Sequence, residues 1–340
     1  MQKSAGSMTI VDIAKESGYS VTTVSRVLNN RRDVSPAAKK KIMEIVEAHN
    51  FVPNNNAKRL KQSKTKSILV VAKGTSNMLF TSILEEIQKT VEPTDFALGI
   101  HYLDEESNEV EEAIRYCRER KPIGILFLGC NPQFFKEQFK NISVPCILVT
   151  NSAEDWGFDN LSSVSTDDVC GAEKAVDYLI TNGHKDIAVI GGDLSSSGTA
   201  LQRHTGYIKS MEAHGLLVRP EYYEKARFSF DSAYEAMNRL LDKGITISAV
   251  FAMSDVTAIG AIRAIRDRGL SVPEDISIMG YDGTMLADYY NPKIVSIRQG
   301  YQEIATRSVE TLIGMIDLNR PATHELIPFT LTDGESVRKV

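Results

Sequence analysis

The sequence predicts a small all-α unit at the N-terminus followed by a larger α/β body with parallel sheets. Three observations lead to this fold class: basic residues concentrate near the N-terminus, short helical patterns fill residues 9–49, and apolar runs alternate with amphipathic stretches from residue 67 onward. With 340 residues, 42% hydrophobic and 24% charged, the chain is long enough for two or three globular domains. The same composition excludes a disordered or collagen-like chain.

Charge is distributed unevenly along the chain. Residues 1–66 contain 13 Lys and Arg but only five acidic residues, a net charge of +8, whereas the remaining 274 residues carry −13. A basic N-terminal part on an acidic body predicts an anionic partner for the N-terminal part.

A first short helix is predicted to begin after Thr9. The Thr9 side chain is an N-cap candidate, and Asp12 stands three residues later, close to a capping-box pattern. Ile10, Ile13 and Ala14 form one apolar face. Gly18 favours the left-handed backbone conformation that ends a helix.

A second helix is predicted over residues 21–28, with Ser20 as its cap, and a third from Ser35-Pro36 to about His49. Two short helices joined by a three-residue turn that contains Gly predict a helix-turn-helix. In that arrangement the second helix enters the major groove of DNA. Helical periodicity alone also permits a three-helix unit that binds protein, but the basic excess favours DNA.

The outward side chains of the second helix suit a DNA surface. Hydroxyl and amide groups match phosphates and base edges, Val21 matches a thymine methyl group, and Arg26 can form a bidentate contact with guanine. We therefore predict DNA contacts from the helix and the caps around it: Thr9, Ser20, Val21, Thr22, Thr23, Ser25, Arg26, Asn29 and Ser35.

Residues 54–66 are predicted to form one short helical turn followed by a linker. Pro53 stops the preceding helix, and Asn54 or Asn55 can cap one further turn that extends to about Leu60. So short a turn needs a partner surface to be stable, and the lysines and arginines around it indicate a polyanion. Asn54 and Asn55 are therefore also predicted DNA contacts.

The body, residues 67–340, is predicted to be α/β. The alternation of strands and helices indicates parallel sheets with covered faces, and eight strands over about 270 residues suit two lobes better than one sheet. The predicted strands are 68–72, 96–100, 123–128, 145–149, 162–165, 187–190, 249–251 and 276–279, with a last strand-like run at 325–331. The predicted helices are 79–91, 107–120, 168–182, 199–214, 230–243, 255–268 and 301–318.

Ordered motifs from Thr9 to about Leu331 resemble the LacI (lactose repressor) family of transcription factors. In the N-terminal part they are Ser17-Gly-Tyr-Ser20, Thr23-Val-Ser-Arg-Val-Leu-Asn29, Val34-Ser-Pro36, Phe51-Val-Pro-Asn54 and Ala57-Lys-Arg-Leu60. In the body they are Gly183-His-Lys-Asp-Ile-Ala-Val-Ile-Gly-Gly192, Arg203-His-Thr-Gly-Tyr207, Ala252-Met-Ser-Asp-Val-Thr-Ala-Ile-Gly260, Val272-Pro-Glu-Asp-Ile-Ser-Ile-Met-Gly-Tyr-Asp282 and Pro292-Lys-Ile-Val-Ser-Ile297.

The resemblance implies three parts. They are a helix-turn-helix DNA-binding head (8–53), a hinge helix and linker (54–66) that orders only on operator, and a two-lobed, periplasmic-binding-protein-like body (67–340) for effector binding and dimerisation. In this family a hinge leucine from each subunit inserts into the minor groove and kinks the duplex, and Leu60 is the matching residue. Ala57 of the same segment is likewise a predicted DNA contact.

The resemblance also implies an effector in the cleft between the lobes. Arg203 matches an arginine that binds effector hydroxyls or a carboxylate, Asp282 an acid that accepts from sugar hydroxyls, and Phe228 an aromatic position against which a sugar ring packs. Ser254 stands where many relatives have asparagine. Lys73 follows the first strand and, with Arg203, favours an anionic effector such as a sugar phosphate or sugar acid. The competing interpretations are a structural Arg203–Asp282 ion pair, a core Phe228 and a solvated Lys73.

Sequence signals of catalysis are lacking. There is no glycine-rich nucleotide loop or nucleophile elbow, and the six histidines show no metal-binding spacing. We therefore predict no enzyme activity, catalytic residue, cofactor or metal.

No apolar run is long enough for a membrane span and no apolar N-terminal segment suggests export, which predicts a cytoplasmic bacterial protein. No heptad repeat follows residue 331, so we expect a homodimer rather than a tail-linked tetramer.

Together these patterns predict a DNA-binding transcriptional regulator, a repressor of carbohydrate-utilisation genes controlled by a small sugar-like effector. Its expected partners are operator DNA, the effector and a second copy of the chain. The sequence leaves open a corepressor-dependent or activating regulator, a sugar-binding receptor without a regulatory role, and an enzyme with an accessory head.

Overall fold

The structure, a computed structural model, describes residues 8–28, 34–49, 51, 66–74 and 76–340. The chain divides into two compact units, residues 1–65 and 66–340. Positions 54–65 of the predicted hinge lie outside the described residues. Five predicted DNA contacts also lie outside them and stay predictions: Asn29, Asn54, Asn55, Ala57 and Leu60.

The N-terminal unit contains the three predicted helices. They are α1 (Ile10–Ser17), α2 (Val21–Leu28) and α3 (Pro36–Ala48). Their apolar faces meet in a small core whose most buried side chains are Ile13, Val24, Val27 and Ile42. Because each helix is too short to be stable alone, this shared core holds the three together.

Capping side chains set where these helices begin and end. Thr9 and Asp12 form a capping box, in which the Asp12 carboxylate accepts from the Thr9 backbone N–H at 2.9 Å. Gly18 ends α1 with φ at +75°. The Ser20 hydroxyl accepts from the Thr23 N–H at 3.1 Å, and the Ser35 hydroxyl accepts from the Ala38 N–H at 3.3 Å.

The body consists of two lobes, each with a six-stranded sheet covered on both faces by helices. The strands are β1 (Ser67–Lys73), β2 (Ala97–Leu103), β3 (Gly124–Leu128), β4 (Cys146–Val149), β5 (Leu161–Ser165), β6 (Ile187–Gly191), β7 (Tyr223–Lys225), β8 (Ala249–Ala252), β9 (Ser277–Asp282), β10 (Val295–Gln299), β11 (His324–Leu326) and β12 (Phe329–Leu331). The helices are α4 (Met78–Val91), α5 (Glu109–Glu119), α6 (Pro132–Gln138), α7 (Asp168–Thr181), α8 (Gly198–Ala213), α9 (Phe230–Asp242), α10 (Asp255–Asp267), α11 (Met285–Tyr289) and α12 (Tyr301–Leu318).

Lobe 1 has the strand order β11-β5-β4-β3-β1-β2, all parallel. Helices α4 and α12 cover one face through Ile83, Ile87, Val309 and other apolar side chains, and α5 and α6 cover the other. The inner strands β1, β3, β4 and β5 are almost completely buried, as expected for a parallel sheet between two helical layers, whereas the edge strands β2 and β11 are partly exposed.

Lobe 2 has the strand order β12-β10-β9-β8-β6-β7, parallel except for β12, which runs antiparallel to β10. Helices α7 and α8 pack on one face, and α9, α10 and α11 on the other. The chain crosses between the lobes three times, after β5, after β10 and between β11 and β12.

All eight predicted strands and all seven predicted helices of the body are present, with ends that differ by up to three residues. The predicted run 325–331 is not one strand but two, because β11 pairs with β5 in lobe 1 and β12 pairs with β10 in lobe 2. The prediction also lacked β7, β10, α6 and α11. Of these, β7, α6 and α11 have only three to seven residues, too few to show a clear period.

Close packing of α7 against α8 depends on Gly206. A Cβ at this position would collide with the Val169 carbonyl oxygen and lie 2.7 Å from the Ala172 Cβ. Without a side chain here the two helices approach closely enough for Arg203, one turn earlier on α8, to reach Asp168 at the start of α7.

We expect Gly206→Ala to lower the free energy of unfolding of the body by about 1–3 kcal/mol, the usual cost of overpacking. Chemical denaturation of the full chain measures the change. The control is Glu212→Ala, an exposed position on the same helix, which should change stability by less than about 0.5 kcal/mol. Equal effects of the two substitutions would contradict the packing role of Gly206.

Candidate functional site

A cavity of about 710 Å³ lies between the two lobes of the body. It is lined from both sides by residues at or just after the carboxyl ends of parallel strands: Lys73 at the end of β1, Gly129 after β3, Thr150 after β4 and Asp282 at the end of β9. Open α/β sheets bind ligands at this edge, where loops and helix N-termini supply polar groups.

Arg203 on α8 is the central charged group of the cavity wall. Its side chain is 4% exposed, and its Nε lies 2.8 Å from the Asp168 carboxylate while one terminal nitrogen lies 3.3 Å from Asp282. The guanidinium also donates to the Met253 carbonyl and stacks 3.7 Å from the ring centre of Tyr281. Burial opposes its charge, but Asp168 and Asp282 together raise the pKa of Arg203.

Asp282 joins the two lobes through its carboxylate. It accepts hydrogen bonds from Gln299 at 2.9 Å and, across the cleft, from the side-chain amide of Asn77 at 3.3 Å. Its backbone has φ at +102°, a conformation that a residue with a side chain rarely adopts and that these contacts hold in place. Burial raises the pKa of Asp282 to about 6, and the Arg203 charge limits that rise.

Asp255 holds the turn that follows Asp282. Its carboxylate accepts from the Thr284 backbone N–H at 2.6 Å, the Thr284 hydroxyl at 2.9 Å and the Ser296 hydroxyl at 2.6 Å. Burial, followed by repulsion from the Asp282 carboxylate, raises the pKa of Asp255 to about 7. These bonds fix the turn that follows β9 and therefore the position of Asp282.

Lys73 lines the opposite wall, where its ammonium group lies 2.7 Å from the Glu109 carboxylate. Both side chains are buried, at 7% and 0% exposure. Because this charge is already matched, and because Arg203 faces two carboxylates, the structure does not support the preference for an anionic effector that Lys73 suggested in the sequence. The competing interpretation of Lys73 as a solvated side chain is also wrong.

Cross-cleft contacts also occur at the rim of the cavity. Arg227 of lobe 2 lies 2.5 Å from the Asp104 carboxylate and 3.6 Å from that of Glu105, both in lobe 1. The Thr199 hydroxyl donates to the Asn151 side chain at 2.9 Å. The lobes are therefore held together by polar contacts that a ligand in the cavity can replace or rearrange.

Two further predicted effector residues have different outcomes. Phe228 is half-buried, lines the cavity and lies against Gly192. Ser254 is fully buried and does not line the cavity. Its hydroxyl instead accepts from the Thr257 backbone N–H at 3.1 Å and caps α10, so its effect on a ligand can only be indirect.

The N-terminal unit presents the predicted DNA-recognition surface on α2. Val21 is 40% exposed, Thr22 and Arg26 are exposed, and Thr23 and Ser25 are half-buried. The opposite side of the helix is closed by the unit core, so the outward side belongs to the polar and basic residues. The remaining predicted contacts in the described part, Thr9, Ser20 and Ser35, are exposed and cap the helices.

Metal-binding geometry is not found in the part of the chain that the structure describes. No group of three or more His, Cys, Asp or Glu side chains there is arranged to hold a metal ion. Of the helices in these same ranges, none combines the length and apolar composition that a bilayer crossing requires.

Comparison with known proteins identifies both units. Residues 9–54 match the family described as bacterial regulatory proteins, lacI family, and residues 176–337 match a periplasmic binding protein-like domain. The HTH-type transcriptional regulator MalR of Clostridium butyricum is 36% identical over 332 residues, which cover 97% of this chain and 99% of that protein. The chain belongs to the LacI family. It is therefore a DNA-binding transcriptional regulator.

Solved structures of LacI-family fold superpose on the whole chain. The lac repressor dimer bound to operator and the anti-inducer ONPF matches with a TM-score of 0.79 at 23% identity, covering 98% of this chain and 100% of that one. The transcriptional regulator CelR in complex with cellobiose matches with a TM-score of 0.70 at 24% identity, covering 97% and 99%. These similarities confirm the predicted head and two-lobed body.

Within this LacI-family body, the structure brings Lys73, Arg203, Phe228 and Asp282 to one cavity. Sequence reasoning missed Asn77, Glu109 and Asp168, which contact these side chains directly. It also missed the Asp104–Arg227 pair at the rim and Asp255, which holds the turn after Asp282. Only Asp255 carried a usable signal, because it lies inside a family motif quoted above.

A pH-dependent contribution of Asp255 to stability follows from its raised pKa. The folded chain keeps a proton that the unfolded chain releases between the ordinary pKa of 3.8 and about 7, so this group makes folding less favourable as the pH rises through that range. We expect the free energy of unfolding of Asp255→Asn, minus that of the unsubstituted chain, to be larger at pH 8 than at pH 5. Denaturant titrations of both proteins at the two pH values measure this difference. Asp231→Asn, at an exposed position, should show no such change.

Proposed function

We propose that this LacI-family regulator is a repressor whose operator affinity is controlled by an uncharged sugar, of disaccharide size or larger, bound between the lobes. The observation that carries the proposal is the 710 Å³ cavity with a polar wall in which each cationic side chain is paired with a carboxylate. Its volume lies within the range of about 300–1,000 Å³ typical of small-molecule sites and exceeds what one hexose ring fills. The cellobiose complex of a protein of the same fold supports a disaccharide.

The proposed mechanism uses the cross-cleft contacts. A sugar that hydrogen-bonds to Asp282 or Arg203 from one lobe and to groups near Asn77 from the other changes the free energy of lobe closure. Lobe closure is in turn coupled to operator binding by the head, to which residues 54–66 join the body in sequence. Because the coupling is reciprocal, a sugar that weakens operator binding itself binds the operator complex less tightly.

We further propose a homodimer that reads a pseudo-palindromic operator in the bacterial cytoplasm, as the lac repressor dimer on its operator suggests. The proposed division of the chain is a head at 8–53, a hinge at 54–66 and a body at 67–340. We propose that the chain acts by binding and not by catalysis, with the Asp282 carboxylate, held by Arg203, Gln299 and Asn77, serving as a binding group of the cavity wall.

Measuring the binding of uncharged disaccharides tests the proposal that the effector is an uncharged sugar. Cellobiose and its α-linked isomer maltose are the first probes, and a ligand at a hundred times its Kd should stabilise the chain by about 2.7 kcal/mol in thermal unfolding. Phe228→Ala should weaken the binding of the same sugar about tenfold, because a ring that packs on the sugar is lost. Leu217→Ala, at a position 72% exposed and outside the cavity, is the control. A sugar that binds without changing operator affinity would refute effector control.

Arg26→Ala tests the proposed reading of DNA by α2. If Arg26 contacts a guanine, the substitution costs about 1–3 kcal/mol and relaxes specificity at one base pair. Titrations of operator fragments that carry each base at each position measure the effect. An equal loss on all sequences would instead make Arg26 a phosphate contact and would contradict its role in base recognition.

A further inference from the structure

We propose that Glu109 is a specificity-determining residue that keeps the cavity selective for uncharged ligands by neutralising Lys73. This inference rests on the proposed function, because it concerns the ligand that occupies the same cavity. It adds a defined residue that lies behind the cavity wall and that no similarity to another protein assigns.

The geometry holds Lys73 and Glu109 in one arrangement. Lys73 is the last residue of β1 and faces the cavity, while Glu109 is the first residue of α5 and lies behind it. One carboxylate oxygen of Glu109 lies 2.7 Å from the Lys73 ammonium, and the other accepts from the Asn131 backbone N–H at 2.5 Å. The carboxylate is thereby fixed from both sides and cannot turn away from the lysine.

Charge around the cavity is matched in the same way elsewhere. Arg203 faces Asp168 and Asp282, and at the rim Lys225 and Arg227 are paired with Asp193 and Asp104. Each cationic side chain that lines the described cavity therefore has a carboxylate within 2.8 Å. A phosphate or carboxylate ligand would lose its hydration without gaining an unmatched cation, which makes its binding unfavourable.

Removing the Glu109 carboxylate reverses this balance at one point. Lys73 would then present a buried ammonium to the cavity without a carboxylate in contact with it, and only the more distant Asp104 and Glu105 would still act on its charge. Such a group gains strongly from an anion that can accept a charge-assisted hydrogen bond. The presence or absence of one carboxylate thus separates a cavity for uncharged sugars from one that binds their phosphorylated or acidic forms.

The test compares phosphate binding by full-length variants. Inorganic phosphate is the probe, with chloride at equal ionic strength as reference, and calorimetry and thermal unfolding are the readouts. Glu109→Gln should bind phosphate about tenfold or more tightly than the unsubstituted chain, which corresponds to one charge-assisted contact. The double variant K73M/E109Q should lose this gain. Glu111→Gln, an exposed position on the same helix, should behave like the unsubstituted chain.

Absence of any gain in Glu109→Gln, or a gain that persists in K73M/E109Q, would overturn the proposal. If Glu109→Gln does not fold, phosphate binding by the unsubstituted chain tests the proposal instead. Phosphate binding that is abolished by Lys73→Met refutes the proposal. The absence of phosphate binding at millimolar concentration supports it. Failure of the proposed function is seen separately, as an unsubstituted chain that binds no uncharged sugar or an operator affinity that does not respond to one. Neither result changes the phosphate comparison.

Discussion

The buried ion cluster of Arg203 with Asp168 and Asp282 is the interaction on which the cleft depends. It ties the N-terminus of α7 and the middle of α8 to the end of β9, and through Asn77 it reaches the other lobe. Burying three charges costs free energy that hydrophobic side chains would not, so the cluster is not explained by stability alone. Its value lies in position, because it fixes a carboxylate in a backbone conformation that the chain would otherwise avoid.

The cleft is polar without offering an unmatched cation. Its lysines and arginines face carboxylates, and the cavity is also lined by the amide and hydroxyl groups of Asn77, Asn131 and Thr199. Such a surface discriminates by the number and direction of hydrogen bonds rather than by net charge. Sugar hydroxyls both donate and accept, which matches a wall that carries both donors and acceptors. The aromatic face of Phe228 adds the apolar contact that a sugar ring requires.

Local patterns predicted most of the fold, because a buried strand or an amphipathic helix shows its period within a few residues. They could not assign residues 325–331 to two sheets, since the partner of each strand is set by distant parts of the chain. The same limit applies to the site. Arg203 and Asp282 followed from family motifs, but Glu109 lies 36 positions from Lys73 and Asn77 lies 205 from Asp282, separations at which the sequence carries no period. The family motif assigns Ser254 to the effector site, whereas the local pattern, a serine three residues before Thr257, indicates the capping role that the structure shows.

The chain crosses between the lobes three times, and this has a consequence for biosynthesis. Ile304, Val309 and Leu312 of α12 fill the core of lobe 1, although they are translated after nearly all of lobe 2. Ser336 then closes lobe 2 by bonding to the Ile278 carbonyl at 2.6 Å. A nascent chain still on the ribosome therefore exposes apolar surface on lobe 1 until α12 emerges. A chain that terminates before α12 would leave both lobes incomplete, which would direct the product towards aggregation or proteolysis.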